Sequence, residues 1–313
     1  MLRKSGPLKS QADGEIIENL DIDASGDHAV VITHDGVTIR NCRIRHSGGN
    51  GIHAEGGSAL VLQDLDIDHV GAPEKGAGDD FNRNNINLYG CPGAVLSRIR
   101  ARRGSSNIYI QASPETRLSQ LELYDARGPF PRGQNVQFDN SHGSVLEDFS
   151  AENGPTSWTE DNISVYRSDR CTVRRGLVSY NNSPTGFAVM LEGSFDGLVE
   201  DVDAVQQGNG AFAAVTQGEV GSGGCRFHRC RTRDTYNSMR DGRDAPKSNS
   251  LSIYTLISEG ASKHIIKDCV YYNLANPRNL IWKRDAIQPG SSFRLQNFEP
   301  HSPVRLQLPW EVT

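Results

Sequence analysis

The feature that most constrains this chain is a repeat. An inward-facing pattern at positions 1, 3, 6 and 8 of a short segment recurs ten times along the 313 residues. It reads Glu15-Ile17-Leu20-Ile22, Val37-Ile39-Cys42-Ile44, Leu60-Leu62-Leu65-Ile67, Ala94-Leu96-Ile99-Ala101 and Thr116-Leu118-Leu121-Leu123. It continues as Ser144-Leu146-Phe149-Ala151, Cys171-Val173-Gly176-Val178, Gly197-Val199-Val202-Ala204, Cys225-Phe227-Cys230-Thr232 and His264-Ile266-Cys269-Tyr271. Taking the second member as a marker gives positions 17, 39, 62, 96, 118, 146, 173, 199, 227 and 266. A basal turn of 22 residues, enlarged by insertions, fits every interval. A second alternating segment lies upstream, with inward pairs Ile52/Ala54, Ile86/Leu88, Ile108/Ile110, Val136/Phe138, Ile163/Val165 and Val189/Leu191. In all six the first member stands ten residues before the marker.

Alternation with period two means strands rather than helices. The break between positions 3 and 6 marks a corner where the chain changes direction. Short strands repeated without helical connectors predict a single-stranded parallel β-helix, all-β, of about ten rungs stacked about 4.8 Å apart. The crossover rule makes it right-handed. The sequence divides into a cap or leader over 1–14, the β-helix over 15–285 and a Pro-containing capping tail over 286–313.

These rungs resemble the right-handed parallel β-helix of the pectate-lyase-like superfamily over residues 15–285. The superfamily contains polysaccharide lyases, glycoside hydrolases, sugar epimerases and phage tailspikes, so the resemblance implies a carbohydrate-related role. It is a likeness of architecture. The Asp-Pro-His-Asp motif of alginate epimerases and the paired Asp-Asp strand motif of polygalacturonases have no counterpart on a matching rung.

A solenoid buries its inward columns, so chemistry falls to outward residues and loops. On the upstream strand one outward column reads His53, Asn87, Tyr109, Gln137, Ser164, Met190. The next reads Glu55, Tyr89, Gln111, Asp139, Tyr166, Glu192. Rings, amides and carboxylates without Lys or Arg suit a sugar-binding face, whereas an ordinary solvated face would be more mixed. A further column, containing Asn85, Asn107, Asn135 and Asn162, reads as a structural amide ladder. The loops 69–84, 125–134, 152–161 and 234–250 precede this strand, and long loops on one side of a repeat scaffold build binding sites. They supply Arg83, Arg132 and Trp158 as further substrate contacts, and Asp79 and Asp80 as weak candidates for a metal site.

Glycoside hydrolysis needs two carboxyl groups in different protonation states. Asp139 and Glu192 share a column two rungs apart, about 9.6 Å, with Tyr166 between them. They are the expected catalytic set. β-Elimination would instead use Tyr89, Tyr166 or His53 as base, with Arg83, Arg132, Arg167 or a Ca²⁺ ion neutralising a uronate. The sequence favours hydrolysis by a small margin and requires no cofactor for it. A non-enzymatic glycan-binding, cell-surface or phage rod is the third reading, as a monomer or, for a spike, a homotrimer.

Composition narrows the partners. Lys plus Arg is 33 and Asp plus Glu is 38, giving a formal charge of −5, which argues against a general nucleic-acid binder. No apolar run approaches the roughly 20 residues of a membrane span, and the first residues lack a signal-peptide core. The six cysteines show no metal-type spacing and read as small core residues; free thiols are compatible with the cytoplasm, without excluding a secreted or virion-associated protein.

Overall fold

A computed structural model describes residues 1–73, 83–128, 133–155, 157–183, 185–235, 251–290 and 293–312. Among them the regular structure is β-strand, apart from three single-turn 3-10 helices near the C-terminus. The described strands form two parallel sheets, a wide one of fifteen strands and a narrow one of eleven. The chain is a parallel β-helix of about ten turns.

The predicted register holds throughout. Ile17, Ile39, Leu62, Leu96, Leu118, Leu146, Val173, Val199, Phe227 and Ile266 pair in succession in the wide sheet. Ile52, Ile86, Ile108, Val136, Ile163 and Val189 do so in the narrow one. Both columns are buried and form one continuous apolar core. The six cysteines are buried and unpaired. Where Phe149 fills the space of the next rung, that rung carries Gly176, and a Cβ there would run into the phenyl ring.

The corner has a simple cause. Two residues past each marker stands one left-handed residue, φ between +50° and +59°: Asn19, Asn41, Asp64, Arg98, Gln120, Asp148, Arg175, Asp201, Arg229 and Asp268. One such residue shifts the phase of alternation, so positions 3 and 6 both face inward.

Three polar ladders run along the axis. Asn85, Asn107, Asn135 and Asn162 are buried at the turn rather than on the outer face, because the strand begins only after them. Each Nδ2 donates to the next Oδ1 at 2.6–2.9 Å, and Asn162 finishes on Gln207. A serine ladder stands just beyond the narrow strands: the amides of Cys91, Ser113, Ser141 and Ser168 donate to the hydroxyls of Ser113, Ser141, Ser168 and Ser194. On the outer face of the wide sheet acids alternate with arginines, as in Arg43–Asp21 at 2.6 Å, Arg100–Glu122 at 3.0 Å and Arg231–Asp203 at 2.6 Å.

The ends complete the stack. Arg3–Ser5 and Leu8–Lys9 pair with the first rung, and Ile281–Trp282 and Phe293–Leu295 with the last. From Phe298 the chain doubles back over the ionic ladder. The Phe298 carbonyl accepts from Arg233, the His301 amide donates to Asp203, and Arg305 pairs with Glu152 at 2.6 Å. Farther on, the Leu306 amide donates to Glu122 and Glu311 pairs with Arg100 at 2.7 Å.

Candidate active site

The outer face of the narrow sheet is built by the strands Ile52–Glu55, Ile86–Tyr89, Ile108–Gln111, Val136–Asp139, Ile163–Tyr166 and Phe187–Glu192. Their register sets His53, Asn87, Tyr109, Gln137 and Ser164 in one row. Glu55, Tyr89, Gln111, Asp139, Tyr166 and Glu192 form the next. A groove of about 770 Å³ lies over both rows. Ten residues singled out from the sequence line it together: His53, Glu55, Asn87, Tyr89, Tyr109, Gln111, Gln137, Asp139, Tyr166 and Glu192. Asn84, Gln134, Glu160 and Asp161, at the ends of three inserted loops, close one edge with Ser105 and Ser106.

Trp158 and Arg83 are half-buried in the loops and are not among the described lining residues. Asp79, Asp80 and Arg132 lie outside the described residues. Among those described, no three His, Cys, Asp or Glu side chains are arranged to hold a metal ion.

Asp139 and Glu192 sit in different surroundings. Asp139 is buried and engaged by three donors: Tyr109 Oη at 2.9 Å and Gln111 Nε2 at 3.2 Å on one oxygen, Asn140 Nδ2 at 2.6 Å on the other. Burial raises the proton affinity of Glu192, with the Arg167 charge opposing it. They stand two strand spacings apart, about 9.6 Å of backbone, and Tyr166 is on the one strand between. Parallel pairing of the three strands sets this spacing. Ser141, Ser168 and Ser194 donate to the carbonyls of Asp139, Tyr166 and Glu192, which tethers the end of each strand.

Sequence reasoning left Glu160 and Asp161 out of the catalytic set. Burial, aided by the Glu192 charge, pushes the Glu160 carboxyl up to about 7. Burial and the Glu160 charge hold Asp161 well above the usual carboxylate range, although its Oδ1 accepts from the Phe187 amide. The segment bearing them is pinned by Ser157 Oγ donating to the Ala126 carbonyl at 2.6 Å and by Thr159 donating to the Asp161 carbonyl at 2.7 Å. Their sequence signal was position alone: they end a loop that leads into a groove strand. At the other end His53 stacks on His28 with centroids 4.3 Å apart, and burial lowers its proton affinity.

A parallel β-helix with a polar, carboxylate-bearing groove on its narrow sheet is the class that fold and site define. In sequence, a family model for right handed beta helix regions matches residues 10–129, which agrees with the handedness expected of the crossovers. No curated protein matches the chain. Among solved structures it is similar to the catalytic domain of a GH87 α-1,3-glucanase in complex with tetrasaccharides, at TM-score 0.64 and 10% identity. That match covers 93% of this chain and 55% of the glucanase chain. The Dettilon tailspike protein matches at TM-score 0.60 and 11% identity, over 94% of this chain and 60% of its own. An alginate lyase from Paenibacillus sp. str. FPU-7 matches at TM-score 0.51 and 11% identity, over 88% and 91%. The chain therefore spans little more than half of the glucanase and tailspike chains. At these identities the likeness is one of fold, the parallel β-helix. Among the described residues no helix is long and apolar enough to cross a membrane.

Proposed function

We propose that the chain binds a polysaccharide along the narrow-sheet groove and cleaves its glycosidic bonds by hydrolysis. The observation that carries this reading is the pair Asp139 and Glu192: two carboxyl groups on one row, one held by three donors and one pushed by burial toward its protonated form. Glu192 is the general acid that protonates the leaving oxygen. Asp139 is the base, receiving a proton from the attacking water while Tyr109, Gln111 and Asn140 keep its oxygens oriented. Inverting glycosidases separate such carboxyls by about 6.5–9.5 Å; two strand spacings put the backbones about 9.6 Å apart, and side-chain reach closes the difference. Tyr166 stands between them, against the sugar that is cut. The amides and tyrosines of the two rows contact the flanking sugars, whose hydroxyls both donate and accept. The likeness to a glucanase, a lyase and a tailspike protein supports a polysaccharide-acting role in general.

The test is a polysaccharide panel read for reducing ends and for unsaturated-uronate absorbance together. Reducing ends without absorbance are expected. Asp139→Asn and Glu192→Gln should each lower turnover at least a thousandfold while circular dichroism stays unchanged. Full activity in both variants would refute the assignment, and absorbance rising with the reducing ends would replace hydrolysis by elimination.

A further inference from the structure

We infer that the groove takes uncharged glycans and rejects polyuronates and other anionic polysaccharides. This rests on the reading of the narrow-sheet face as a glycan-binding groove and names the substrate class. Five lining side chains are carboxylic acids: Glu55, Asp139, Glu160, Asp161 and Glu192. The rest of the polar lining is amide, hydroxyl and phenol, together with His53, whose burial disfavours the charged ring. Among the described lining residues none is Lys or Arg.

The cation felt by Glu192 does not change this. Arg167 donates to Gln217 Oε1 at 2.8 Å, and its guanidinium lies over the Tyr166 ring at 5.0 Å, outside the described lining. Burial, and after it the Glu192 charge, already raises the proton affinity of Glu160. A uronate brought beside them adds a like charge in a partly desolvated slot. Recognition of carboxylates uses bidentate arginine or a cation, whereas the ionisable side chains of the described lining are carboxyl groups, His53 and tyrosines. Sugar hydroxyls donate to those carboxyl groups and accept from the amides of Asn87, Gln111 and Gln137.

The experiment uses the full chain carrying Glu192→Gln, which spares the glycan, in affinity gels cast with a panel of neutral polysaccharides and polyuronates. The neutral glycan retained best is then compared with the same polymer oxidised at C6 to the uronate, and with the methyl ester of that uronate. At pH 8 the ester should be retained and the free uronate bound at least tenfold more weakly. Adding Glu55→Gln and Glu160→Gln should narrow that gap severalfold. Equal retention of acid and ester, a polyuronate as the best ligand of the panel, or a gap indifferent to the added substitutions would overturn the inference and leave the groove reading intact. Retention of no polysaccharide, or retention unchanged by Tyr109→Ala and Gln137→Ala, would overturn the groove reading itself.

Discussion

Asn107 shows what a single residue does in this scaffold. Its amide accepts from Asn85, donates to Asn135 Oδ1 at 2.6 Å and to the Tyr124 carbonyl at 2.9 Å, and accepts again from the Gly104 amide. Asn107→Ala strips partners from buried groups on both sides. A loss of about 3 kcal/mol is expected in urea unfolding, because each orphaned buried group costs about 1–3 kcal/mol. Asn107→Asp keeps the acceptor but donates to neither neighbour, so it should also destabilise at neutral pH. Glu160 governs pH behaviour in the same local way. Its proton affinity is raised in the folded chain, from 4.5 to about 7. The associated stability is therefore complete below pH 4.5 and lost as pH climbs through 7. Glu160→Gln should flatten the fall in melting temperature across that window and raise stability at pH 8. A slope that survives the substitution would assign it to another group. Activity should fall on the alkaline side as the Glu192 acid ionises, and a rate that rises across that range would contradict its role as the acid.

At the scale of the element, the rung is defined by its corner. Gln120 is exposed and left-handed at φ +54°, which makes it a clean probe. A β-branched side chain resists that conformation, whereas Gly adopts it freely. Gln120→Val should cost about 2 kcal/mol and Gln120→Gly should be near neutral in chemical denaturation; equal effects would mean that the corner relaxes. Gly176→Val, which collides with Phe149, should cost about 3 kcal/mol by overpacking. The rung was legible in the sequence because each inward position must be filled again 22 or more residues later, and strand alternation exposes the phase. The groove rows were legible for the same reason, since a constant offset aligns Asp139 with Glu192. What stayed hidden depends on third dimensions that no register supplies. Glu160 and Asp161 owe their proton affinities to burial by neighbouring segments. The serines that tether the strand ends look like ordinary turn residues until their hydroxyls are seen beneath the next amide. The buried asparagines read as an outward column because alternation was extended back to the residue before the strand begins.

The whole molecule differs from a simple solenoid in one respect. Stacked rungs touch only their neighbours, so a solenoid unfolds as a nearly one-dimensional array. The returning segment breaks that rule. It links Phe298 to Arg233, His301 to Asp203, Arg305 to Glu152, Leu306 to Glu122 and Glu311 to Arg100, over sequence separations of 65 to 211 residues. The partners Asp203 and Glu122 are buried, so these contacts are less screened than ordinary surface pairs. Five rungs are thereby coupled to one segment, and loosening any of them weakens the hold on the others. Deleting residues 297–313 should keep the strand content, because the rungs retain their ladders and core, but lower the melting temperature by several degrees and broaden the calorimetric transition. High salt should narrow the difference between the two forms by weakening the intact clasp. Glycan retention should not change, because the segment lies on the wide sheet and the groove on the narrow one. An unaltered width would show that the rungs already unfold together through their shared core, leaving the segment a passive cover over the ionic ladder.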